Sequence, residues 1–355
     1  MNGPRILLTD GTSYKCSVIA RYLKKHYRDI YISVIVNKRA ARYFTSRYID
    51  RTFYLKDPIS SDAFISRLSS LMKDNEIDIL IPINSGDMEP LLARRQDLGN
   101  VMDYWGNLES YHVLHDKQAF SSICNQLKIP APKSYTLNMM QAIPESGVVF
   151  KPVSGSSARG VKYFTNRNRL LEYASKYNRP FIIQDYIEGT GGGISFFANS
   201  GKIESCYLHK RLAEWPISGG SSTMRTEMNH PQQDAIIQNA RQIVKHVNWS
   251  GFCMLELKLQ DNAYYFIEAN PRIWGSVGQG LANGVNYFQK LLPDTGKCVG
   301  ESTKVTYHVP LFFLSMLLYL FNKQLDKLAL LKQIRYGVPD IDYTDTRALL
   351  GQFIK

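Results

Sequence analysis

The residues with the clearest chemical content lie late in the chain, in Gly251-Phe-Cys-Met-Leu-Glu256-Leu-Lys-Leu-Gln-Asp-Asn-Ala-Tyr-Tyr-Phe-Ile-Glu268-Ala-Asn270-Pro271-Arg272. Two strands are expected to flank a turn at Asp261-Asn262-Ala263, where Asn262 tolerates the left-handed backbone of a three-residue hairpin loop. That loop pairs Glu256 with Glu268 directly across the ladder, Cβ atoms about 5 Å apart, and places Asn270 two positions on along the same face. Like charges so placed repel unless a cation sits between them. Mg²⁺ suits the position, because it takes one or two carboxylates together with phosphate oxygens and water. A two- or four-residue loop would instead put the glutamates on opposite faces of a solvated hairpin, each harmless.

Two lysines add to this. Lys151 ends the apolar run Gly147-Val-Val-Phe150, and a small-residue loop follows, Ser154-Gly155-Ser156-Ser157-Ala158-Arg159-Gly160, whose amides could wrap phosphate oxygens. Val161 occupies the lysine position of a Walker A motif and no hydroxyl residue follows Lys162, which disfavours a P-loop NTPase. Lys117, after Asp116 at a helix start, favours an anion near that helix's positive end. Taken singly, each lysine also fits ordinary surface charge. Gln184-Asp185-Tyr186-Ile187-Glu188-Gly189 closes another strand and runs into Thr190-Gly191-Gly192-Gly193, a pattern that alone reads as a structural glycine turn.

The elements that must position these residues follow from periodicity. Arg5 to Thr9, Ile30 to Val36 and Ile77 to Ile83 read as strands alternating with helices at Ser17 to Lys25 and Ser61 to Lys73, which implies a parallel sheet. Asp10-Gly11-Thr12-Ser13 lacks the GxGxxG of a dinucleotide site. From Tyr111 onward a helix at Asp116 to Leu127 stops at Ile129-Pro130-Ala131-Pro132. Strands follow at Gly147 to Pro152, Phe181 to Ile187, Ile194 to Ala198, Lys202 to His209, Phe252 to Gln260 and Tyr264 to Glu268, an α+β arrangement. The glycine- and serine-rich stretches at Ser154 to Gly160, Gly189 to Gly193 and Ser218 to Ser222 read as loops.

The 355 residues suffice for two or three domains, and 44% apolar content builds a core in each. A net charge of +12 favours anionic partners without choosing among them. Nucleic-acid binding has no support beyond that charge, since no RNP, KH or zinc-finger pattern occurs. Five dispersed cysteines with no CxxC pair point away from zinc and from a disulfide framework, toward a reducing cytoplasm. No secretory signal pattern opens the chain. The longest apolar run, Val309 to Phe321, is shorter than the roughly 20 residues of a spanning helix. It reads as a buried helix, with the flanking Lys304, Lys323, Lys327 and Lys332 leaving peripheral membrane contact through 309–332 as the other reading.

Set in chain order, a lysine at a helix start, Ile-Pro-x-Pro, strand-Lys-Pro with a small-residue loop, Gln-Asp-Tyr-Ile-Glu-Gly and Glu-x11-Glu-x-Asn-Pro-Arg resemble the ATP-grasp superfamily over about residues 1 to 295. Ser46-Arg47-Tyr48, and His209-Lys210-Arg211 followed by Ser218 to Thr223, resemble its ATP-dependent carboxylate–amine ligases of the carbamoyl-phosphate-synthetase-like branch. The resemblance implies a Rossmann-like pre-ATP-grasp α/β domain at 1–110, a small nucleotide-lid lobe at 111–190 and a large metal and substrate lobe at 191–298. A C-terminal helical extension at 299–355 lies outside it. Lys117 and Lys151 would contact ATP phosphates under a loop that includes Ser154, Gly155, Ser156, Ser157 and Gly160. Gln184, with the backbone of Asp185 and Ile187, would read adenine, and Glu188 would stand in for an acidic ribose contact that relatives carry where this chain has Gly191 to Gly193. Glu256, Glu268 and Asn270 would hold one or two Mg²⁺ ions, or Mn²⁺ in their place. Arg272 would steady the transferred phosphoryl group.

The implied reaction makes an acyl phosphate from a carboxylate and ATP, which an amine attacks to give an amide, ADP and phosphate. One or more of the cations Lys210, Arg211 and Arg225 is expected to receive the substrate carboxylate, each also fitting a basic surface loop, and Trp274 reads first as core or interface packing, with a wall of the acceptor pocket as the second reading. The alternatives are a thiol or bicarbonate acceptor, or a nucleotide-binding module without turnover. Small-molecule substrates are the expected partners, with no nucleic acid and with a homodimer compatible with the sequence.

Overall fold

The computed structural model describes residues 3–137, 143–155, 159–215, 220–292, 305–308 and 337–352. A first sheet holds four parallel strands, β1 (Arg5–Leu8), β2 (Tyr31–Val36), β3 (Arg51–Tyr54) and β4 (Ile79–Ile81), in the order β3-β2-β1-β4. Helices α1 (Tyr14–His26), α2 (Asp62–Asp74) and α3 (Ser85–Ala93) connect or follow them. α1 begins three residues ahead of the expected Ser17, because the Ser13 hydroxyl accepts from the Lys15 amide and caps it. β3 was not legible, since its residues are exposed or half-buried and carry no clean alternation. Chain order reverses between β1 and β4, so the segments leaving their carboxyl ends frame a crevice.

Helices α4 (Arg95–Leu98), α5 (Leu108–His115) and α6 (Lys117–Gln126) lead to a second sheet. It is antiparallel, ordered β5-β8-β6-β7, from β5 (Ser134–Tyr135), β6 (Val148–Pro152), β7 (Lys162–Phe164) and β8 (Phe181–Asp185). Helix α7 (Arg167–Ser175) packs on it through an aromatic cluster in which Phe150 stacks on Phe181 at 4.4 Å and meets Tyr173 edge-on at 5.0 Å.

A seven-stranded sheet completes the fold, in the order β13-β12-β9-β10-β11-β14-β15. Its strands are β9 (Thr190–Asn199), β10 (Lys202–Trp215), β11 (Ser221–Glu227), β12 (Gly251–Leu259), β13 (Tyr264–Asn270), β14 (Val305–Tyr307) and β15 (Val338–Pro339). Helices α8 (Gln233–His246) and α9 (Val277–Ala282) accompany it, and a short helix α10 (Thr346–Gly351) follows β15. The C-terminal segment, expected to be helical, thus also lends two strands.

Two local expectations change. Gly191, Gly192 and Gly193 are not a loop but the buried start of β9 in mid-sheet. A Cβ at Gly191 would stand 2.5 Å from Glu214 Oε1 and 2.8 Å from Arg211 Cδ, so the glycines clear space for side chains of the neighbouring strand. The hairpin loop has four residues, Gln260 to Ala263, closed by Gln260 N–H to the Ala263 carbonyl at 2.8 Å. A four-residue loop alone would separate the glutamates. A bulge at Ile267 restores the pairing, since Leu257 faces Phe266 while Glu256 faces Glu268 and Met254 faces Asn270.

Candidate active site

The three sheets enclose a cleft of about 1620 Å³. On its floor the carboxylates of Glu256 and Glu268 oppose each other from β12 and β13, with side-chain exposures of 24% and 17%. Lys117, the first residue of α6, reaches Glu268 Oε2 at 3.3 Å and donates to the Gly155 carbonyl at 3.1 Å. The Lys151 ammonium, brought in by β6, donates at 3.4 Å to the Ile267 carbonyl at the bulge. Burial lowers the Lys151 pKa to about 8 despite the Glu268 charge. Burial would raise the Glu268 carboxyl, yet Lys117 and Lys151 together hold it below the ordinary range. Glu256 is pushed upward, by burial first and by Glu268 in addition, against the pull of Arg211. One carboxylate is therefore more firmly ionised than its neighbour.

Among the described residues no group of three or more His, Cys, Asp or Glu converges on a point. Two carboxylates and the Asn270 amide are too few for an all-protein cage, and they match a hard cation that also takes phosphate oxygens. Arg211 and Lys117 meet the two carboxylates in this structure, so the donors already gather positive charge at the spot. Asn270 Nδ2 donates to Glu268 Oε1 at 3.3 Å, and its Oδ1 accepts from Arg272 at 2.7 Å. Arg272 is fixed further by Ser85 Oγ at 2.8 Å and the Ile273 carbonyl at 2.9 Å.

The other expected residues divide. Gln184 is buried against the cleft, its Nε2 donating to Ser121 and Ser134 hydroxyls at 3.2 Å each, while Oε1 has no partner among the described residues. Asp185 receives the Tyr135 hydroxyl at 2.5 Å and gives its own amide to the Lys133 carbonyl at 3.0 Å, leaving no amide donor there for a base. Ile187 and Glu188 line the cleft; Ser154, Gly155 and Gly160 do not, and Ser156 and Ser157 lie outside the described residues. Arg211 lines the cleft, bonded to Glu256 and, at 3.3 Å, to Glu214.

Two expectations are corrected, and one of two readings is favoured. Arg225 is fully buried in β11 and bonded to Asp340 in the C-terminal segment, with Nε on Thr306 Oγ1 at 3.0 Å, so its guanidinium is committed inside the fold. Lys210 is absent from the cleft lining, which takes His209 and Arg211 on either side of it, as strand alternation requires. Trp274 is fully buried edge-on against Tyr287 at 5.0 Å, in keeping with the core reading. Residues 309–332 lie outside the described residues. No described helix is long and apolar enough to cross a membrane.

Sequence reasoning missed the cleft beyond Arg272. The first domain supplies Tyr14, whose hydroxyl donates to the Gly275 carbonyl at 2.8 Å, and Lys15, whose ammonium donates to the Ile83 carbonyl, Asn84 Oδ1 and the Ile273 carbonyl at 2.8, 2.6 and 3.3 Å. Burial lowers Lys15 to about 7. β10 supplies His209, 3.2 Å from Ser276 Oγ and lowered by burial to about 3, hence a neutral imidazole. His308, after β14, packs against Tyr14 with its ring tilted, 4.1 Å between centroids. The one available signal was the carboxyl edge of the parallel sheet that the first hundred residues imply.

This architecture has known counterparts. Residues 114–276 match the ATP-grasp domain family. The carbamoyl phosphate synthase large chain of Thermoplasma volcanium is 22% identical over 288 residues, 73% of this chain and 26% of that one. That of Thermoplasma acidophilum is 21% identical over 265 residues, 68% of this chain and 25% of that one. The chain therefore spans about a quarter of the length of these relatives. In structure it is similar to an L-amino acid ligase from Bacillus licheniformis, with a TM-score of 0.61 and 17% identity, covering 84% of this chain and 76% of that one. It is also similar to N5-carboxyaminoimidazole synthetase from Staphylococcus aureus, with a TM-score of 0.57 and 11% identity, covering 78% and 74%. Residues 114–276, a little under half of the chain, carry the likeness to the ATP-grasp domain. The sequence likeness runs to carbamoyl phosphate synthase large chains, and the structural likeness, which extends to biotin carboxylase from Campylobacter jejuni at a TM-score of 0.61, shows a shared fold.

Proposed function

We propose that this chain is an ATP-dependent ligase that converts a carboxylate into an acyl phosphate and joins it to an amine, releasing ADP and phosphate. The observation that carries this reading is the set of opposed glutamates that line one cleft with Lys151 and Arg272, while Lys117, outside the lining, reaches Glu268 at 3.3 Å. The antiparallel four-stranded sheet is then the nucleotide lid, the seven-stranded sheet the metal and substrate lobe, and the parallel sheet the preceding domain.

Adenine lies against β8, where the unpartnered Oε1 of Gln184 can accept from its amino group. Lys117 and Lys151 hold the phosphates, and binding a polyanion draws Lys151 back to its charged form. Glu256, Glu268 and Asn270 hold Mg²⁺, which when bound neutralises charge on the phosphates. Arg272, kept in place by Ser85 and Asn270, presents its fork to the phosphoryl oxygens during transfer. On the far side of Arg272, Tyr14, Lys15, Ser85, His209, Ser276 and His308 line the cleft and include no carboxylate. That end suits an anionic acid group and a neutral amine, and offers an ammonium no counter-charge.

A phosphate-release screen of amino acids and sugar acids with Mg·ATP tests the reading, with Glu268→Gln as the blank. ADP with phosphate is the expected product pair. AMP with pyrophosphate, or turnover that survives the substitution, contradicts it.

A further inference from the structure

We propose that a basic and apolar face outside the cleft docks the protein on an anionic membrane surface. Residues 38–56 hold six cations, Lys38, Arg39, Arg42, Arg47, Arg51 and Lys56, against the acid Asp50, which Lys24 pairs at 2.7 Å, and of the six Arg47 is paired with Asp342 of the C-terminal segment at 3.0 Å. Lys38, Arg39 and Arg42 are exposed on and beside the 3₁₀ turn Arg39–Phe44, with no carboxylate partner among the described residues. Helix α10 packs against that turn. A Cβ added at Gly351 would meet the Phe44 carbonyl at 2.5 Å, and Asp345, which caps α10, accepts from Ser46 and from the Arg47 amide. Arg347 on α10 is a further exposed cation without an acidic partner.

Large apolar side chains stand among these charges. Tyr43 is 62% exposed and Leu350 55% exposed, each next in sequence to a residue of the Phe44–Gly351 contact. Arg42 lies over the Tyr43 ring, 4.7 Å from its centroid, so the ring's apolar body is presented beside a cation. Clustered arginines are attracted to anionic headgroups, and a tyrosine and a leucine that water leaves unburied gain from the headgroup boundary. A nucleic acid would meet the same charges, but it offers nothing for Leu350. None of these residues lines the cleft, so docking leaves the site open to soluble substrates.

The experiment sediments the full chain with phosphatidylcholine vesicles that contain or lack phosphatidylserine, at low and raised salt. Wild type is expected on the anionic vesicles only, released by salt. Arg39→Glu/Arg42→Glu/Arg347→Glu together weaken binding on the order of 100-fold or more, at about 1 kcal/mol per lost cation before the added repulsion. Leu350→Ser, which keeps every charge, weakens it several-fold. Unchanged melting temperatures and ATP affinity keep these results specific to the surface. The proposal is overturned by equal binding to neutral vesicles, by no binding at low salt, by retention of the triple variant, or by binding only to a polynucleotide.

Discussion

Two clusters of opposite charge are buried in the same seven-stranded sheet, and they differ in access. At one edge Glu256 and Glu268 meet Arg211 and Lys117 on the floor of the cleft, with side chains 24% and 17% exposed. Three strands further on, Arg225 and Asp340 pair with side chains 0% and 1% exposed, walled by Thr306 and by the approach of Arg21 to the Asp340 carbonyl at 3.1 Å. A sealed pair can only be structural. An open pair, with two carboxylates face to face and cations that can turn to another anion, can exchange partners with a ligand. Buried charge by itself marks neither role; the path to solvent decides it.

The sharpest way to break this contrast is to strand one partner in each cluster. Arg225→Met leaves a buried carboxylate uncompensated and should cost about 3–5 kcal/mol of stability, while Arg225→Met/Asp340→Leu should recover most of it; denaturant unfolding reads both. If Arg225→Met leaves stability intact but raises the substrate KM, the pair is not a staple. Arg272→Met, at the open side, should lower kcat about 10²–10³-fold with little change in ATP affinity, as steady-state kinetics and nucleotide titration will show.

Gly191→Ala drives a methyl onto Glu214 and Arg211 and should cost about 1–3 kcal/mol, with Arg211 displaced from Glu256. A smaller effect concerns protons. With Lys151 at about 8 in the ligand-free protein, its fraction charged falls as pH rises through that value, and a bound triphosphate raises the pKa again. Nucleotide binding above pH 8 should therefore take up a fraction of a proton, read from binding enthalpies in buffers of different ionisation heat; proton release would contradict it.

The sequence carried the opposed glutamates but not the way they come to face each other. The loop is one residue longer than Asp261-Asn262-Ala263 suggests, and the bulge at Ile267 compensates, a correction that leaves no compositional trace. Glycines 191 to 193 read as a turn because a lone sequence shows their flexibility and not the neighbouring Arg211 and Glu214 for which they make room. Arg225 looked available for a substrate because its partner, Asp340, lies 115 positions away and only the sheet brings the two together. The cleft beyond Arg272 was hidden for the same reason: Tyr14, His209 and His308 come from three distant segments, each unremarkable alone.

The central claim is that the two hairpin carboxylates exist to hold a divalent cation on a nucleotide. Calorimetric titration of ATP, with Mg²⁺ and with chelator, into wild type and Glu256→Gln/Glu268→Gln tests it directly. Wild type should bind the magnesium complex much more tightly than free ATP, and the double variant should bind both alike. A wild-type affinity that is indifferent to Mg²⁺ would contradict the account.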